Sequence, residues 1–135
     1  MPLVRWRWPD ALDPVTGYRF GGYRLDKSRV PTLLYTVGTL AVEDRIEPSP
    51  QRGLKRTLKI TTRSDQPAAW IRAHIGKSLQ SREAGRYTDE NGLTVSVSKT
   101  PGRRPGKLVR LGGLVEWRIP ILVTSPITLE IDYRW

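Results

Sequence analysis

Ala68 to Ile75 alternates with a period of two, and its polar side gathers three groups able to recognise a ligand. Trp70, Arg72 and His74 fall on one face of an extended chain, with Ala69, Ile71, Ala73 and Ile75 on the other. An indole stacks on the C–H face of a sugar ring, while a guanidinium and an imidazole hydrogen-bond its hydroxyls. The plainer reading of the same face is structural. His74 is the only histidine and there is no cysteine, so no imidazole pair exists for a metal and no thiol for the imidazole to activate.

Three further groups carry basic charge in suggestive places. Pro101 to Lys107 holds Arg103, Arg104 and Lys107, the first candidates for contact with a polyanion. The segment lacks the Arg-Gly-Arg-Pro order of a minor-groove hook, and a loop between hairpin strands accounts for it more economically. Along Leu54 to Thr62, Lys55 and Lys59 share a face with Thr57 and Thr61, opposite Leu54, Leu58 and Ile60. Such a stripe could track a polyanion, and it equally suits the wet side of a half-buried strand. At the start, Arg5 and Arg7 alternate with Trp6 and Trp8. This aromatic-basic arm could stack on bases or sugars, or be an edge strand or linker whose tryptophans fill the core.

Nothing in the chain composes a catalytic centre. Asp26 with Asp44, or Glu130 with Asp132, could pair as carboxylates, but they read as residues on wet strand faces with no device to raise one pKa. Gly102 to Lys107 lacks the leading Gly spacing and the Ser or Thr of a phosphate loop, and Thr88 to Gly92 lacks a calcium-loop layout. The sequence therefore reads as non-catalytic, with no cofactor and no metal.

The elements that must position these residues are strands. Tyr18 and Phe20 share one parity and Tyr23 and Leu25 the other, and Gly21-Gly22 between them predicts a β-bulge. Asp26 to Arg29 is a turn, Pro31 opens a second strand, and Gly38-Thr39 reverses the chain into Leu40, Val42 and Asp44. Ile46 to Gly53 reads as a Pro-rich connection, and Gly76 to Tyr87 is compatible with one helical turn or a short strand. Leu93 to Val97 alternates, and Leu108 to Leu111, Leu114 to Val123 and Ile127 to Trp135 close the chain as strands. In the last, Ile127, Leu129, Ile131, Tyr133 and Trp135 form one apolar face.

The string GYRFGGYRLDKSRVPTLLYTVGTLAVED, followed by GLKRTLKITT, GRYTDENG and a closing YRW, resembles the C-terminal region of large secreted planctomycete-type (PVC) proteins. Those proteins carry a c-type cytochrome haem module, often beside a sugar-dehydrogenase-like β-propeller. The resemblance runs from Gly17 onward and is most specific over GYRLDKSRVPT. It implies an accessory all-β module beside redox domains. The haem-attachment motif of the family is absent here, so no functional residue carries over.

The 135 residues include 23 basic and 13 acidic side chains, a net charge of +10, which permits an acidic partner of several kinds. The expected fold is an antiparallel β-sandwich of about eight to ten strands with little or no helix. Residues 1–16 are read as an arm or parent-chain linker and 17–135 as one domain. The expected role is an accessory docking module for a haem-bearing redox domain of the same or a neighbouring chain, or for an acidic polymer. The alternatives are a carbohydrate-binding module and a sequence-nonspecific binder of nucleic acid or acidic polysaccharide. No stretch is long and apolar enough for a transmembrane helix, and MPLVRWRWPD has no signal-peptide core. A periplasmic or extracellular location would require the signal to lie on a longer parent.

Overall fold

Period-two alternation punctuated by turn residues folds as strands throughout. In a computed structural model the described residues, 18–62, 66–98, 106–123 and 126–135, contain eleven strands and no helix. In chain order these are β1 (Tyr18–Leu25), β2 (Pro31–Val37), β3 (Leu40–Ser49), β4 (Gly53–Thr62), β5 (Gln66–Gly76), β6 (Leu79–Glu83), β7 (Arg86–Asp89), β8 (Thr94–Ser98), β9 (Lys107–Leu111), β10 (Leu114–Val123) and β11 (Ile127–Arg134). An eight-stranded sheet runs β1-β2-β3-β4-β11-β8-β7-β6, and a three-stranded sheet runs β5-β10-β9. Every pairing is antiparallel, and the two sheets form the expected β-sandwich, with one strand more than the expected range.

The core lies where the small sheet covers the large one. Val42, Ile60 and Ile127 make one rung of the inner face, and Leu58 and Leu129 belong to the next. Ile71, Ala73, Trp117, Ile119 and Ile121 meet them from the small sheet. Leu58, Ile60, Ile71, Leu129 and Ile131 are fully buried, each contributing about 1.5–3 kcal/mol. Tyr87 and Trp117 close the seam with ring centroids 4.7 Å apart.

Two charged side chains interrupt this apolar face. Asp44 and Arg56 point inward, 3% and 6% exposed, with Arg56 Nε donating to Asp44 Oδ1 at 2.8 Å and Nη2 to Oδ2 at 2.6 Å. Tyr35 donates its hydroxyl to Asp44 Oδ2 at 3.1 Å. The sequence reading of Asp44 as a solvent-facing carboxylate is thus corrected. Its parity with Leu40 and Val42 turns it into the core, where the bidentate Arg56 fork offsets its desolvation.

The predicted bulge lies in β1, where the register with β2 shifts between Phe20 and Gly22. The predicted connection from Ile46 to Gly53 is mostly strand, since β3 runs on through Pro48 to Ser49. Pro48 is tolerated because the pairing of β2 ends at Thr32 with Arg45, so that stretch of β3 has a neighbour on one side only. Gly76 to Tyr87 resolves into the hairpin of β6 and β7, turned at Gly85 with φ +76°.

Candidate functional site

A bulge in β5 decides which of its polar side chains act together. Arg72 lies opposite Arg118 of β10, and His74 lies opposite Trp117, so two residues of β5 advance for one of β10. The extra residue is Ala73, and beyond it the parity inverts. Trp70 and Arg72 remain on the outer face of the small sheet. His74 turns with buried Ala73 toward the large sheet, where its Nε2 donates to Asp89 Oδ2 at 2.9 Å and its ring meets Tyr133 edge-on. The expected trio of Trp70, Arg72 and His74 is therefore split by a bulge that alternation alone does not reveal.

The seam holding that bulge is polar and closed from the other sheet. Tyr133 donates its hydroxyl to the Ala73 carbonyl at 2.6 Å, and Asp89 also accepts the backbone N–H groups of Asn91 and Leu93. Burial opposes ionisation of Asp89, but the His74 hydrogen bond and the two backbone donors outweigh it and hold the carboxyl below its ordinary value. A carboxyl depressed in the folded state stabilises above its unfolded pKa, near 4, and that stability is lost as pH falls through the folded value. Urea unfolding is expected to show wild-type stability falling below about pH 4. Asp89→Asn should be weaker at neutral pH and converge on wild type in acid; parallel pH profiles would contradict this.

On the outer face of the small sheet, one rung crosses all three strands with cations only. Arg118 of β10 pairs directly with Arg72 on one side and with Lys107 on the other. The neighbouring rungs carry Trp70 opposite Pro120, and Glu116 between Ile75 and Val109. Lys107 Nζ stands 5.2 Å from the centroid of the Trp70 ring. Glu116 is 2% exposed; its Oε1 accepts Arg118 Nε at 2.7 Å. Its Oε2 lies 2.9 Å from Arg72 Nη2 without an aligned hydrogen bond.

The outer face of the large sheet has the opposite character. Lys59 lies opposite Glu43, and Lys55 lies between Glu47 and Asp132, with Glu130 3.6 Å from its Nζ. Arg24 pairs with Glu43 at 2.8 Å and Arg45 with Asp26 at 2.6 Å. The Lys55 and Lys59 stripe is thus neutralised across the strands rather than forming a basic track. Register, unreadable from one strand, decides this. Arg103 and Arg104, and the arm Arg5, Trp6, Arg7 and Trp8, lie outside the described residues. Among the described residues no group of three or more His, Asp or Glu is arranged to hold a metal.

A second surface follows from the unequal sheets. With neighbouring strands about 4.8 Å apart, eight strands span roughly 34 Å and three roughly 10 Å, so the small sheet cannot cover the large one. Left at the margin of the inner face are Phe20, Tyr23 and Leu25 along edge strand β1, at 54%, 63% and 48% exposure. Ile46 and Leu54 continue it along one end of the sheet, and Trp135 extends the inward-facing row of β11 past its last residue at 66% exposure.

Cations ring that end. Lys27, Arg29, Arg52 and Arg134 are exposed and pair with no acidic side chain among the described residues. Arg29 and Arg52 also hold φ values of +62° and +39°, where glycine or asparagine would be relaxed. An arginine there costs on the order of 1 kcal/mol, with no ion pair among the described residues to offset it. No protein-family model, curated protein or solved structure matches the chain.

Proposed function

We propose that the chain is a non-catalytic docking module whose uncovered sheet margin seats on an acidic protein surface. The observation that carries the reading is the apolar margin of Phe20, Tyr23, Leu25, Ile46, Leu54 and Trp135 with its rim of cations that pair with no acidic side chain among the described residues. Contiguous exposed apolar surface rimmed by polar groups is typical of a protein contact, and aromatic and arginine side chains are the types enriched there. The rim selects the sign of the partner and steers its approach, while the apolar centre supplies the adhesion. The partner class is an acidic, haem-bearing redox domain of the same or a neighbouring chain, in keeping with the family resemblance.

Isothermal titration of the purified chain against that haem-bearing domain tests the proposal. Binding should weaken as salt rises from about 50 to 300 mM, because the rim charges are exposed. Tyr23→Glu should weaken it about tenfold or more while leaving the urea midpoint unchanged, since Tyr23 is exposed and supports no core contact. Equal affinity of Tyr23→Glu and wild type, or no binding by the haem-bearing domain, would overturn the proposal.

A further inference from the structure

The cationic rung of the small sheet is expensive to keep. Arg72, Arg118 and Lys107 lie side by side across three strands, and like charges directly opposite one another destabilise a sheet. Glu116 offsets one of the three charges. Its carboxylate holds Arg118 through Nε, and among the described residues the terminal nitrogens of that guanidinium have no acidic partner, which leaves them to a ligand. Trp70 lies one rung away on the same face and Lys107 rests against its ring.

We infer that this face is a binding site for a uronic-acid residue of an acidic polysaccharide. The carboxylate of the sugar bridges Arg118 and Lys107, and the ring packs on Trp70. Lys107 is the movable part, because an ion pair to a carboxylate replaces its cation–π contact and frees the indole for the C–H groups of the pyranose. The extent of the charge favours this ligand over a nucleic acid. A nucleic acid is held by many phosphates along a continuous track. Among the described residues the unbalanced charge of this face is one rung deep, and the large sheet offers no continuation there because Lys55 and Lys59 lie against acidic neighbours. The site is distinct from the docking margin, so either can fail without the other.

Oligogalacturonate is the probe, titrated calorimetrically into the full chain beside a neutral galacto-oligosaccharide of equal length and an oligothymidylate. Oligogalacturonate should bind about tenfold or more tighter than either comparison ligand. Trp70→Ala and Lys107→Gln should each weaken it roughly fivefold to tenfold with an unchanged circular dichroism spectrum. Arg118→Lys, which keeps the charge but loses the fork, should weaken it as well, whereas Tyr23→Glu should not. Equal binding of the neutral sugar, tighter binding of oligothymidylate, indifference to both Trp70→Ala and Lys107→Gln, or no binding of oligogalacturonate would each overturn the inference.

Discussion

Replacing Arg56 with methionine should cost about 3–5 kcal/mol of folding stability. The carboxylate of Asp44 is 3% exposed and receives two of its hydrogen bonds from that one guanidinium. Without it, the Tyr35 hydroxyl at 3.1 Å is the one side-chain donor left to that buried charge among the described residues. Tyr35 answers the same environment, since burial and the Asp44 charge push its hydroxyl well above the ordinary tyrosine range. The cost belongs to breaking the pair rather than to its net worth. A triple variant with Tyr35→Phe, Asp44→Leu and Arg56→Met removes the ion pair and the hydroxyl bonded to Asp44 together, leaves Tyr133, which also meets Arg56, its hydrogen bond to the Ala73 carbonyl, and should recover most of the loss. Urea unfolding of the wild type and the two variants checks this. A triple variant no better than Arg56→Met would mean that the network contributes strongly as a unit.

Gly53→Ala is expected to cost about 3 kcal/mol, at the upper end for overpacking. Gly53 opens β4 opposite Arg134 of β11. A methyl there would overlap the Tyr133 carbonyl oxygen and stand 2.9 Å from its carbon and 3.2 Å from the Arg134 Cα. All three obstacles are backbone, so no rotamer change relieves them, and the two strands must part at the end of the sheet that carries Leu54 and Trp135. Gly113→Ala is the natural comparison, because nothing lies within 4 Å of its added carbon. It should stay within about 0.5 kcal/mol of wild type by thermal or urea unfolding. Similar losses for the two substitutions would refute the backbone clash.

Much of the fold was legible because alternation and turn chemistry are local. The bulge at Gly21-Gly22 appeared as a parity switch between Phe20 and Tyr23, two residues whose side chains declare their face. The bulge at Ala73 was hidden because alanine and histidine are tolerated on either face, so nothing in Ala73-His74 marks the inversion. The buried Asp44–Arg56 pair left a readable trace, since both lie in step with apolar neighbours, Val42 in one strand and Leu58 in the other. The cationic rung left none. Arg72, Lys107 and Arg118 are brought together only by the register of three strands distant in sequence. The apolar margin depended on how eight and three strands divide between sheets, a matter of topology rather than of pattern. Trp135, which continues the regular apolar row of the last strand, lies largely exposed at that margin for this reason.

The docking reading meets its most direct test in hydrogen–deuterium exchange of the chain, alone and saturated with the haem-bearing domain. Protection is expected to concentrate in Tyr18–Val30 and Ile46–Leu54, the edge strand, the two arginine-bearing turns and the end of the sheet they frame. Protection confined to the three-stranded sheet, or no protection anywhere at saturation, would contradict the account.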